Sequence, residues 1–135
     1  AAMKAVRQAL ETQLATVSSG FPTAYENVKY EPVTGTAWQE IVMMSAEPLN
    51  PEMGNGWMER GYLQINLRYP LDAGPGAAET RAETIRDAFP RGATFVADGV
   101  STLIERTPEI GPGRADDDWY LKTVKIRYFS NLQRS

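Results

Sequence analysis

From Gly61 to Tyr69 apolar and polar residues alternate without a slip: Leu63, Ile65, Leu67 and Tyr69 take one parity and Tyr62, Gln64, Asn66 and Arg68 the other. Successive side chains of a strand point to opposite faces, so this segment reads as a half-buried antiparallel strand. A sheet built on such a strand must have its apolar face covered by a second layer. The chain offers two amphipathic helices for that. Met3, Val6, Leu10, Leu14 and Val17 recur at steps of three and four, with Lys4, Arg7, Gln8, Glu11 and Gln13 on the other side, which predicts a helix broken at Ser18-Ser19-Gly20. A second stripe, Ala78, Ala82, Ile85 and Phe89, opens after Gly74-Pro75-Gly76 and is ended by Pro90 and Gly92.

The other strands are less regular. Ala24 to Tyr30 reads as a short extended piece. In Thr36 to Met44, Trp38, Val42 and Met44 share one parity while Ile41 and Met43 share the other, the mark of a strand covered on more than one side. Thr94 to Ala97 and Val100 to Arg106 flank Asp98-Gly99, a dipeptide suited to a two-residue hairpin turn. In the last strand, Trp119 to Phe129, Tyr120, Val124, Ile126 and Tyr128 face one way and Lys125 and Arg127 the other, while Trp119 and Leu121 fall out of phase; a bulge near Lys122 would account for the slip. Proline, glycine and asparagine mark two long loops, at about residues 45–58 and 107–118. The expected architecture is one α+β domain over residues 1–135, a mainly antiparallel sheet packed by two helices in the order α-β-β-β-α-β-β-β.

With 135 residues, 42% hydrophobic and 23% charged, the chain has a globular composition and length enough for one core. No apolar run is long enough to span a bilayer, and the N-terminal segment is amphipathic rather than signal-like. Fourteen basic against seventeen acidic residues give a net charge of −3, without the basic face that a nucleic-acid binder uses. Histidine and cysteine are both absent, which takes away the usual general base, the commonest zinc ligands, nucleophilic triads and disulfides. The glycine-rich turns lack the Gly-Lys-Ser/Thr element of a phosphate loop. No catalytic residue, cofactor site or metal site is therefore expected.

Two clusters remain. Asp116, Asp117 and Asp118, with Glu109 nearby, form the one dense carboxylate group. Their spacing is not that of a calcium loop, so a solvated loop is the plain reading and a carboxylate-based, metal-dependent hydrolase the enzymatic alternative. Met43, Met44, Met53, Trp57 and Met58 gather in and beside the 45–58 loop. Met and aromatic side chains are enriched in interface centres, so Met43, Met53, Trp57 and Met58 are candidate interface residues; the other reading folds the loop back over the sheet.

Across the chain, Tyr25-Glu26-Asn27-Val28, the Trp38 strand, Gly61-Tyr62-Leu63-Gln64-Ile65-Asn66-Leu67, Gly74-Pro75-Gly76-Ala77-Ala78-Glu79, Phe89-Pro90-Arg91-Gly92 and Trp119-Tyr120 together resemble the tail terminator-like minor tail proteins of tailed phages. The resemblance runs from about Met3 to Phe129. It implies a structural virion protein without catalytic activity or cofactor, made in the host cytoplasm and resident at the head-proximal end of the tail. Such proteins commonly form hexameric rings, cap the tail tube, stop its polymerisation and offer a docking surface to the head–tail connector protein, with DNA only passing through the channel and no membrane involved. A head–tail joining or neck protein is the alternative in the same setting. Under this reading Asp116, Asp117 and Asp118 are a candidate channel-facing loop, since like charge repels phosphates.

Overall fold

The computed structural model describes residues 2–17, 21–25, 30–32, 35–45, 56–71, 76–97, 99–116 and 119–133. Two helices, α1 (Ala2–Thr16) and α2 (Gly76–Ala88), accompany strands β1 (Thr23–Ala24), β2 (Trp38–Ser45), β3 (Gly56–Pro70), β4 (Thr94–Ala97), β5 (Val100–Ile104), β6 (Glu109–Ile110), β7 (Arg114–Asp116) and β8 (Trp119–Gln133). The strands make one sheet in the order β1-β2-β3-β8-β5-β4, with β6 and β7 also paired to β8. Only β1 and β2 run parallel; the other pairs are antiparallel. The α+β class holds, with two strands more than the sequence pattern gives.

The alternating segment sits at the centre. β3 pairs with β2 from Ser45↔Gly61 to Trp38↔Arg68 and with β8 from Gly56↔Gln133 to Pro70↔Trp119. This register turns Leu63, Ile65 and Leu67 to the same side as Ile41, Met43, Val124, Ile126 and Tyr128. Val6, Leu10 and Leu14 of α1, Ala82 and Ile85 of α2, and Phe89 just beyond the end of α2 close over that side and complete the core. All six residues are at most 2% exposed, as the two stripes require.

The helices also tie each other down at their carboxyl ends, where backbone carbonyls have no intrahelical partner. Gln13 of α1 donates through Nε2 to the carbonyl of Ala88 at 2.8 Å. In return Arg81 of α2 donates through Nη1 to the carbonyl of Val17 and through Nη2 to Oε1 of Gln39 at 3.2 Å. Its guanidinium also lies 4.5 Å from the ring centre of Phe21. The positive charge at the end of α1 suits the helix dipole.

Several expected boundaries move. β1 is Thr23–Ala24 and so begins one residue before the extended piece expected at Ala24 to Tyr30, of which residues 26–29 lie outside the described residues. β3 starts at Gly56, so Trp57 and Met58 are strand residues opposite Leu132 and Asn131, not loop residues; residues 46–55 lie outside the described residues. The 107–118 loop is stitched to β8 by β6 and β7. Ala97 and Val100 pair across Asp98-Gly99, and Gly99 takes a φ of +75°, the left-handed backbone such a turn demands.

The bulge expected near Lys122 is absent, because the β3–β8 register is unbroken through it. The irregularity belongs to the neighbouring path along β8. Glu105 faces Arg127 and Glu109 faces Lys125, so four steps on one side oppose two on the other. Gly111 faces Thr123 and Arg114 faces Leu121, three steps against two. The extra residues coincide with Pro108 and with Pro112-Gly113, since proline has no amide to give a ladder. At the second bulge a Cβ on Gly113 would fall 1.7 Å from the Tyr120 hydroxyl, so a side chain there would displace that ring.

Ile65 is fully buried at the centre of the core, whereas Val96 on the outermost strand is 64% exposed. Ile65→Ala is expected to lower the unfolding free energy by about 2–5 kcal/mol, and Val96→Thr to change it by no more than about 0.5 kcal/mol. Urea denaturation of the two variants checks the contrast.

Candidate functional site

The side of the sheet away from the helices carries the polar parity of β3. On it, Trp38, Glu40, Val42 and Met44 of β2 stand opposite Arg68, Asn66, Gln64 and Tyr62, and these stand opposite Leu121, Thr123, Lys125 and Arg127 of β8. Sequence thus places three kinds of surface along one face.

At one end lies an aromatic cluster. Trp38 is 8% and Leu121 5% exposed although both point away from the main core. Tyr30 stacks on Trp38 with ring centres 5.0 Å apart, Trp119 meets Trp38 edge-on at 6.1 Å, and the Arg68 guanidinium lies 5.0 Å from the Trp38 ring centre. This second, smaller apolar cluster is why Trp119 and Leu121 break the pattern of β8: they have their own cover. The indole nitrogen of Trp38 is buried without a hydrogen-bond partner among the described residues.

The middle is a polar chain. Gln64 Nε2 donates to Asn66 Oδ1 at 2.9 Å and Thr123 Oγ1 to the same oxygen at 3.3 Å. Asn66 Nδ2 donates to Glu40 Oε1 at 3.0 Å, and Arg68 Nη1 donates to that oxygen at 2.8 Å. The other Arg68 nitrogen, Nη2, reaches Asp116 Oδ2 at 3.5 Å. Partial burial pushes the Glu40 carboxyl up, but the hydrogen bonds from Arg68 and Asn66 and the Arg68 charge together outweigh it and hold the carboxyl below its ordinary value of 4.5.

The far end carries two cations, Lys125 and Arg127, with Glu109 and Glu105 opposite them on the neighbouring path. Lys125 and Arg127 both lie over the ring of Tyr62, at 5.0 and 5.8 Å from its centre. Met44 beside them is 44% exposed, and Val42, Met58 and Phe129 are half-buried.

Each candidate residue can now be placed. Met43 turns inward to the core at 9% exposure, which removes it as a surface contact; its neighbour Met44 takes the outward place because strand side chains alternate. Met58 is half-buried on β3. Trp57 belongs to β3, its side chain lies outside the described residues, and so does Met53. Asp116 is in β7, paired with Arg68; Asp117 and Asp118 lie outside the described residues. Sequence reading missed the Glu40–Arg68–Asp116 group, whose members are distant in sequence and meet only through register. Among the described residues no group of three or more acidic side chains is arranged to hold a metal ion, and no helix is long and apolar enough to cross a membrane.

The lowered Glu40 carboxyl sets a pH dependence. A group whose folded pKa is depressed stabilises above its unfolded value, and that stabilisation is lost as pH falls through the folded value. The stability difference between the parent chain and Glu40→Gln is therefore expected to be constant above about pH 5.5, where the carboxylate is ionised in both states, and to shrink below the ordinary value of 4.5. Urea midpoints at a series of pH values check it; a difference independent of pH down to unfolding would show that Glu40 makes no such contribution.

Comparison with known proteins adds the family. No curated protein sequence matches the chain significantly. One solved structure superposes with a TM-score of 0.78 at 19% identity, with 96% of each chain covered. Another, from the virion of a native gene transfer agent particle, superposes with a TM-score of 0.60 at 16% identity, covering 99% of this chain and 98% of that one. At these identities the likeness is one of fold. The family model described as phage tail terminator protein matches residues 4–128, and the chain belongs to the phage tail terminator protein family.

Proposed function

We propose that this protein is a structural virion component that caps the head-proximal end of a phage tail tube, ends tube polymerisation and presents a docking surface to the head connector. The observation that carries the reading is the family match over residues 4–128. The fold likeness to a chain of a gene transfer agent virion supports a place in a particle of that kind. The whole chain is taken as one terminator domain that joins identical copies in a ring, commonly a hexamer, assembled in the host cytoplasm.

The protein works here by stoichiometric binding rather than catalysis, with no cofactor. The aromatic cluster suits a contact completed by another protein, since Trp, Tyr and Arg dominate binding energy at interfaces and the Trp38 indole N–H has a donor to spare. Met58 has the parity of the outward face near the β2–β3 connection, and with Met53 and Trp57 it is taken as the tube-facing contact. The acidic run 116–118 faces the channel through which DNA passes. Asp116 repels phosphate less than its formal charge suggests, because Arg68 pairs with it.

Two outcomes test this. Purified protein incubated with assembled tail tubes is expected to add density at one tube end in negative-stain images; no binding to tubes, with capture by portal-side proteins instead, would move the protein to the neck and overturn capping. Trp57→Asp is expected to lengthen the tubes formed in assembly reactions with the terminator present, whereas tubes of unchanged length would remove Trp57 from the contact.

A further inference from the structure

β4 is the last strand at its end of the sheet. Its ladder to β5 starts from the pair Ala97 and Val100, and further along the Ile104 amide donates to the Ala93 carbonyl at 2.9 Å. Antiparallel bonds fall on alternate residues, so Ala93, Phe95 and Ala97 turn their backbone groups to β5 while Thr94 and Val96 turn theirs to the open edge. Among the described residues no strand pairs with that edge. Exposed edges are commonly blunted by charge, proline or a bulge. Thr94-Phe95-Val96-Ala97 has none of these, and Val96 is 64% exposed.

Beside the edge runs a groove of about 380 Å³, walled by β4 on one side and by Gln8, Ala9, Thr12 and Gln13 of α1 on the other. No wall residue is charged. Two amides and two carbonyls at alternate positions of a strand match another extended backbone, and a neutral groove beside them takes alternate side chains that are small and uncharged. α1 excludes one occupant: a second copy pairing through its own β4 would bring its own α1, which packs along that strand, into the same space. What fits is a lone extended segment. The groove lies at the Met58 end of the sheet. Val96 stands opposite Ser101, the Ser101 carbonyl accepts from Ser130 Oγ at 2.6 Å, and Ser130 faces Glu59, the neighbour of Met58.

We propose that β4 is a strand-addition site, and that an extended, uncharged segment of the tail tube protein pairs with Thr94 and Val96 in the groove beside α1. The proposal rests on the capping reading and is continuous with the contact taken for Met58. Main-chain bonds supply the attraction, and the alternate side chains entering the groove supply the selection. A site of this kind carries no net charge, so its occupancy depends little on salt.

Residue-resolved hydrogen exchange of the full chain, free and bound to assembled tail tubes, tests it. In the free chain the Thr94 and Val96 amides are expected to exchange as an open edge; on the tube both slow by about tenfold or more, while Phe95 and Ala97, already bonded to β5, change less. Val96→Pro deletes one outward donor and leaves the β5 ladder intact, since proline is tolerated where an edge amide faces out. It is expected to raise the concentration that caps half the tube ends by about tenfold, with Val96→Thr unchanged and circular dichroism showing all chains folded. If Val96→Pro does not fold, exchange in the parent chain decides alone. Tubes capped while Thr94 and Val96 exchange as in the free chain would overturn strand addition and leave capping standing. No binding to tubes would overturn both.

Discussion

Fifteen residues of β3 pair with fifteen of β8 in one register, and a slip of one residue there would turn both apolar faces to solvent. The core depends on that register: Leu63 beside Ile126 and Ile65 beside Val124 form the floor on which both helices close. β2 is set by β3, and β5, β6 and β7 are set by the other edge of β8. The helices add a local lock through Gln13 and Arg81, but they cover a surface whose pattern is already fixed.

The same ladder organises the opposite face. Because it holds β2, β3 and β8 in phase, it lines up an aromatic end, a polar middle and a charged, Met-containing end. Each has a different physical character: a small buried cluster, a hydrogen-bonded chain around Glu40, and cations on an aromatic ring. Among the described residues, much of the polar capacity of this face is engaged in hydrogen bonds between the strands.

Local pattern revealed most of the elements that bury their own stripe. Both helices, the β3 alternation and the Asp98-Gly99 hairpin were legible because each signal is contained in a few neighbouring residues. β6 and β7 were not, since proline and glycine hide a strand whose pairing comes from β8. The parity slip at Trp119 and Leu121 was visible but misassigned: it reflects a second apolar cluster on the outward face, and the bulges lie in the facing path at 106–108 and 112–113. Met43 and Met44 show the same difficulty, as neither residue type says which of two adjacent positions meets the core. Glu40, Arg68 and Asp116 could have been joined only by knowing that Trp38 stands opposite Arg68.

β8 comes last among the ten elements, yet β3, β5, β6 and β7 all pair with it. While the chain is being synthesised, β3 therefore waits for a partner more than fifty residues downstream, as the pairing of Ile65 with Val124 illustrates. Until then its apolar face and one backbone edge stay open to other nascent or finished chains. Long-range pairings of this kind also slow the search for the native state. The fold thus ties the whole sheet to one late event, the arrival of a single strand, and the interval before it is when the chain is most exposed to aggregation.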